Sequence, residues 1–160
     1  MASISNTQRT LQYLKKKGHI CSIVEKFNPH VGPTIKRKDK FGNLYYANTG
    51  IRKDLFGFID IISISPRGIC YGVQSCGQAY SEHKRKILES EIAPQWLASN
   101  NRLMLIGWRK VKEKPRVGKR MIWKPRIYEF TLEDFGLQAV TCAYCGAVID
   151  LINPKRDRRE

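Results

Sequence analysis

Apolar and polar positions alternate in two adjacent segments, 56–65 and 69–76, on either side of a Ser-Pro-Arg-Gly turn. Alternation with a period of two marks a strand that is half in and half out of a core, so the pair predicts a β-hairpin. Further strands are predicted over 19–27, 101–112 and 119–132, the last two pairing across Glu113–Gly118. Helical spacing occurs over 5–17. There Ser5 or Asn6 can cap the first turn, Leu11 and Leu14 share a face, and Gly18 stops the helix. A second helical stretch covers 78–100, where Pro94 is expected to kink or split it. Residues 28–50 hold two prolines, three glycines and a basic cluster, and read as a loop or loose flap. The order helix, strand, strand, strand, helix, strand, strand predicts an α/β fold, a mixed sheet flanked by helices. The main domain is expected over 1–132, with a C-terminal extension over 133–160.

Two polar residues interrupt the apolar hairpin. Alternation places Asp60 with Ile62 and Ile64 on one face, and Ile59, Ile61 and Ser63 on the other. In the returning strand Gln74 shares a face with Cys76, opposite Val73 and Ser75. The hairpin then brings Asp60 and Gln74 close in register. A carboxylate in an apolar strand is costly unless it is paired, hydrogen-bonded or bound to metal. A hard cation such as Mg²⁺ or Mn²⁺ takes oxygen donors. Three are available: the Asp60 carboxylate, the Gln74 side-chain carbonyl and the backbone carbonyl of Ser75. The competing reading is an Asp60 that hydrogen-bonds a turn or pairs with Arg52.

Composition narrows the partners. Of 160 residues 42% are hydrophobic, enough for a packed core in one main domain. Lys and Arg number 29 against 14 Asp and Glu, a net +15 that points to a polyanion, and nucleic acid is the commonest one. No long apolar run predicts a membrane span, and the N-terminus lacks the layout of a signal peptide. The expected location is the cytoplasm, that of a host cell if the gene is a phage's, with no membrane partner. Nine cations fall between 109 and 126. Arg109, Lys110, Lys112, Lys114, Arg116, Lys119, Arg120 and Lys124, with Lys36, Arg37 and Lys38 from an earlier cluster, are the expected phosphate contacts. A third cluster is His83–Lys86. Nothing resembles a base-reading helix, so recognition by backbone and shape is expected. Trp96, Trp108 and Trp123 read as core or sheet-face residues.

Five cysteines, an odd and irregularly spaced set, argue against a disulfide framework. Cys21 and Cys70 read as small core residues. Cys142 and Cys145, in "CAYCG", have the spacing of half a zinc site. Zinc needs four ligands, and Cys21, His19 or a second chain would have to complete it. Two cysteines on a packed turn is the preferred reading over zinc.

The motifs "GFIDI" and "GVQSC", set in "RKDLFGFIDI…GICYGVQSCG…HKRKI…WLASNNRLMLIGWRK", resemble the aspartate strand and the (D/E)XK strand of the PD-(D/E)XK nuclease superfamily. More narrowly they resemble small phage-type nucleases and Holliday-junction-resolvase-like proteins. In layout the resemblance spans roughly residues 5–131. It implies a restriction-endonuclease-like core and a metal-dependent endonuclease that hydrolyses DNA phosphodiester bonds, branched or junction DNA included. A junction substrate would call for a homodimer. Two positions depart from the pattern. Gln74 stands for the second acid, and Cys76 for the lysine that orients the attacking water. The resemblance implies a replacement cation, for which Lys84 and Arg85 are the first candidates and Arg52 and Lys53 the next. It also implies an acid from the first helix, where only Gln12 is available; Glu25 and Asp54 are the nearby substitutes. The alternative is a non-catalytic nucleic-acid-binding protein on a degenerate form of the fold.

Overall fold

The computed structural model describes residues 4–113, 120–146 and 148–153. In chain order its elements are α1 (Asn6–Lys16), β1 (Ile20–Ile23), β2 (Lys26–Asn28), β3 (Thr34–Lys38), β4 (Leu44–Asn48), β5 (Ile51–Lys53), β6 (Ile61–Ile64) and β7 (Cys70–Cys76), then α2 (Tyr80–Leu88), α3 (Ile92–Ala98), β8 (Arg102–Lys112) and β9 (Met121–Phe130). A short 3₁₀ turn, Leu132–Phe135, precedes β10 (Gln138–Thr141) and β11 (Val148–Ile152). The fold is α/β. Its centre is a mixed five-stranded sheet in the order β1-β6-β7-β8-β9, antiparallel throughout except for β7 and β8. Parallel neighbours need a crossover, and α2 and α3 supply it.

Both faces of the sheet are covered. On one, Leu14 of α1 packs with Ile61, Val73, Ile106 and Trp108. On the other, Ile87 of α2 and Ala93 of α3 pack with Cys76, Leu103, Leu105 and Phe130. Alternation along β8 assigns Leu103, Leu105 and Gly107 to the α2 face, and Ile106 and Trp108 to the α1 face. Each fully buried Leu, Ile or Val contributes about 1.5–3 kcal/mol. A polar thread stitches α1 to the sheet. Trp108 Nε1 donates to Thr10 Oγ1 at 2.8 Å, and Thr10 Oγ1 lies 2.8 Å from Ser75 Oγ, all three buried. Thr10→Val keeps the shape and leaves the indole N–H and the Ser75 hydroxyl without their partner. The expected cost is about 2 kcal/mol, or a thermal midpoint lower by roughly 4–8 °C in a melt monitored by circular dichroism.

Several segments differ from their sequence reading. The strand predicted over 56–65 is confined to Ile61–Ile64, because residues 54–59 fold into a tight turn. Leu55 and Ile59 exchange backbone hydrogen bonds at 2.9 and 3.0 Å, and Phe56 and Gly57 take positive φ of 54° and 80°. Ile59 therefore joins the α2-side cluster rather than sharing the face of Ile61. The strand predicted over 19–27 is broken at Val24–Glu25, whose N–H groups bond elsewhere. The long helix divides between Leu88 and Ile92, before Pro94. Pro94 lies in the first turn of α3, where no helical N–H is needed. Residues 28–50 are not a loop. The pairs β2–β5 and β3–β4 stack into a two-tier ribbon, closed by a turn in which Asp39 accepts the N–H groups of Phe41 and Asn43. The C-terminal extension carries the β10–β11 hairpin, and Phe135 before it packs on the main core. No helix among the described residues is long and apolar enough to cross a membrane.

Candidate metal and nucleic-acid site

Asp60 sits at the junction of the 54–59 turn and β6. Its N–H donates to Val73 O at 3.0 Å, which seats it beside β7. Its carbonyl accepts the N–H groups of Val24 and Glu25, at 2.8 and 3.2 Å. That contact breaks the β1–β2 run and brings Glu25 to Asp60. The turn brings Asp54 there by the other route. Asp54 and Glu25 are thus the two carboxylates whose charge acts on Asp60.

The Asp60 side chain is 5% exposed. Its Oδ2 accepts from Gln74 Nε2 and from the Ser75 N–H, both at 2.8 Å. Asp60 and Gln74 therefore face each other, as the hairpin register predicts. Among the described residues Asp60 has no ion-pair partner. Arg52 pairs instead with Glu25 at 3.0 Å, and Lys86 approaches Asp54 at 4.0 Å. Burial pushes the Asp60 carboxyl up to about 7, helped by the neighbouring Asp54 and Glu25 carboxylates and opposed by the Ser75 N–H bond. Gln74 is 2% exposed, and its Oε1 is buried without a hydrogen-bond partner. Among the described residues His83 Nδ1 is the other such side-chain atom.

Gln74 Oε1 is therefore an unspent oxygen that a hard cation can use, beside an Asp60 carboxylate with no paired cation among the described residues. The residues fit a divalent ion in donor type. Among the described residues no three His, Cys, Asp or Glu side chains are already gathered around a vacant cation position. The amide oxygen and a main-chain carbonyl would have to complete the set. Cys76, on the same face, is 4% exposed, and burial with the nearby Asp60 charge pushes its thiol up to about 11. It is a protonated core residue and no nucleophile.

The other predicted residues are dispersed. Lys84 Nζ lies 3.5 Å from the centre of the Tyr128 ring, and Arg85 pairs with Glu89 at 3.7 Å. Two cations reach the neighbours of Asp60, Arg52 through Glu25 and Lys86 through Asp54. Lys36, Arg37 and Lys38 are exposed on β3 of the ribbon. Register divides the β8–β9 cations between the two faces. Arg109 faces Lys124, and Arg126 faces Gly107, on the α2 side; Lys110 faces Trp123 on the α1 side. Arg126 stacks on Tyr80 at 4.1 Å, and Arg9 of α1 on Trp123 at 4.0 Å. Arg109, Lys110, Trp123 and Arg126, with Gly77–Tyr80, line a groove that begins two residues beyond Ser75. Arg120 is exposed and pairs with Glu113 at 3.4 Å. Lys114, Arg116 and Lys119 lie outside the described residues. Trp108 and Trp96 are anchored through their N–H groups, to Thr10 and to Arg102 O. Trp123 is 39% exposed between Arg9 and Lys110.

No protein-family model, curated protein or solved structure matches this chain. Function is accordingly read from the residues themselves. Sequence reasoning did not single out Arg9 or Lys86 as site residues. Arg9 meets Trp123 only across the packing of α1 on the sheet, which leaves no local trace. Lys86 had a usable signal, since it precedes Ile87, which α2 buries in the core, by one position.

Proposed function

We propose that this protein binds nucleic acid and hydrolyses phosphodiester bonds with a divalent cation, on a PD-(D/E)XK-like core. The observation that carries the reading is a buried Asp60 with no paired cation among the described residues, its carboxyl raised by burial and by the Asp54 and Glu25 charges, beside a bare amide oxygen in a +15 chain. A merely structural carboxylate is stabilised by a cation or by hydrogen bonds that spend both oxygens. Like charges held together need a proton or a metal between them. The topology supports the finer fold reading. Asp60 opens one strand, Gln74 lies on its antiparallel neighbour, and that neighbour runs parallel to β8 after a helical crossover.

Asp60, Asp54, Gln74 Oε1 and the Ser75 carbonyl are the groups that would hold Mg²⁺ or Mn²⁺. When bound, such an ion makes water a nucleophile at neutral pH and offsets charge on the phosphate. Gln74 Nε2 and the Ser75 N–H fix the Asp60 carboxylate through Oδ2. Lys86, which approaches Asp54, takes the place we assign to the missing lysine. Arg109, Lys124 and Arg126 share the face of Gln74 and Cys76, where they would hold a nucleic-acid backbone. DNA is the proposed partner and branched DNA the proposed substrate.

The test is cleavage of labelled linear, flapped and four-way-junction DNA with Mg²⁺ or Mn²⁺. Asp60→Ala is expected to reduce cutting by 10³-fold or more, on the order of 4 kcal/mol of barrier. Binding without cutting by wild type and variant alike would sink the hydrolytic reading. It would leave the second one, a non-catalytic binder, which the burial of a thiol at position 76 favours. In either case, replacing Arg109, Lys124 and Arg126 by alanine should lower the slope of log affinity against log salt by roughly 2–3 for duplex DNA. An unchanged slope would remove that face from the interface.

A further inference from the structure

The fold leaves one motif without a task. Cys142 and Cys145 lie on the turn that closes the β10–β11 hairpin. The Gly146 N–H returns to Cys142 O at 2.8 Å, and Gly146 takes a φ of 72° that turns the chain back into β11. Both thiols are free, Cys142 half-buried and Cys145 exposed, and Tyr144 between them is 98% exposed. A tight turn that carries two free thiols three positions apart is a half-site for a thiophilic cation.

Zinc requires four ligands, and this chain does not supply the other two as thiolate or imidazole. All five cysteines and all three histidines lie among the described residues. No three His, Cys, Asp or Glu among those residues converge. Cys76 is buried in the core, and Cys21 and Cys70 stand on strands of the main sheet. A second copy of the turn carries what is missing, two more cysteines of the same geometry. The surroundings suit such a contact. Residues 127–154 contain no Lys or Arg and four acids, Glu129, Glu133, Asp134 and Asp150, in a chain of net +15.

We propose that the Cys142–Cys145 turns of two copies of this chain clasp one zinc ion through four thiolates, and so link the chains as a homodimer. The clasp is built from a different element than the Asp60 site and does not depend on it. One consequence joins them: a clasped pair carries two Asp60 sites in one particle.

The experiment uses the full chain, reduced, freed of metal by a chelator, and titrated with Zn²⁺ while mass is followed by light scattering and native mass spectrometry. The expected result is conversion of monomer to dimer that saturates at one zinc per two chains. Co²⁺ in place of Zn²⁺ should give the intense thiolate-to-metal absorption of a tetrahedral tetrathiolate site. Cys142→Ser and Cys145→Ser should each abolish dimer and zinc uptake while the thermal melt of the main domain stays in place. One zinc on a monomer, no zinc uptake, or a dimer indifferent to both zinc and the substitutions would each overturn the proposal. No nucleic acid enters these measurements, so their outcome is separate from that of the cleavage test.

Discussion

At pH 8 and without divalent cations, Asp60→Asn is expected to melt at a higher temperature than the wild-type protein, although it removes the residue on which the proposed chemistry depends. The reason is the raised Asp60 carboxyl, which moves from 3.8 to about 7 on folding. Below pH 3.8 both folded and unfolded forms carry the proton, and Asp60 costs nothing. As pH rises the unfolded chain ionises first, so stability falls by up to about 1.4 kcal/mol per pH unit until the folded form ionises near pH 7. The accumulated loss is on the order of 4 kcal/mol. Asparagine never ionises, and its carbonyl can still accept from Gln74 Nε2 and the Ser75 N–H. The gap between the two proteins should open between pH 4 and pH 7 and level off above it. At pH 8 it should reach roughly 10 °C. Mg²⁺ or Mn²⁺ should then raise the wild-type midpoint and leave the asparagine variant unmoved, since only the carboxylate gains a ligand. Thermal melts at pH 4, 6 and 8, with and without the cation, check all of this. Equal gaps at pH 4 and 8, or an equal response to the cation, would show that Asp60 is a satisfied structural residue.

Gly107→Val should be the most destabilising single change near the site. Gly107 lies at the centre of β8, between Cys76 and Arg126, and a Cβ there would come 2.3 Å from Tyr80 Cδ2 and 3.4 Å from Cys76 Sγ. Tyr80 is the first residue of α2, is 7% exposed, and supports the Arg126 guanidinium. Neither the strand nor the first turn of α2 can give way without loosening the α2-side core. Overpacking of this kind costs more than about 3 kcal/mol, and valine's branched side chain is worse than alanine. Denaturant unfolding of Gly107→Ala, Tyr80→Leu and the double variant would locate the cause. The double variant should recover part of the loss, as contacting residues do. Strict additivity would place the damage somewhere other than the Gly107–Tyr80 contact.

The two effects have one origin. The α2 face of the sheet near the end of β7 is packed tightly enough to exclude water from Asp60. The same packing raises its carboxyl and makes Gly107 irreplaceable. A carboxylate held in this state lowers the stability of the fold above the pH at which the unfolded chain ionises.

The α/β class, the 61–76 hairpin, the first helix and the β8–β9 pair were legible from periodicity, because each buries a regular face. The facing of Asp60 and Gln74 was legible too, because strand register follows from the turn that joins them. What escaped was set by contacts between distant segments. Residues 54–59 alternate like a strand, yet their chain reverses because Leu55 and Ile59 pair and Gly57 allows a positive φ. Residues 28–50 read as loop because their strands bury nothing, and without a buried face there is no periodicity to detect. The replacement cation was sought at Lys84 or Arg85, while the rotation of α2 that buries Tyr80 and Ile87 directs Lys86 towards Asp54.

By itself, then, the amino-acid sequence determined the elements that bury a periodic face, the excess of positive charge, and the pairing of one acid with one amide across a short turn. These are local or summed properties, and no tertiary contact is needed to evaluate them. The tertiary structure alone decided that Glu25 and Asp54 join Asp60, that the Gln74 oxygen is left bare, and that Arg126 and Lys86 attend the same face. Those juxtapositions depend on hydrogen bonds that Asp60 O accepts from the N–H groups of Val24 and Glu25, 35 and more positions away in the chain, and on the packing of α2 over Gly107. No pattern in a linear window encodes a contact whose two halves are separated by a ribbon and a strand.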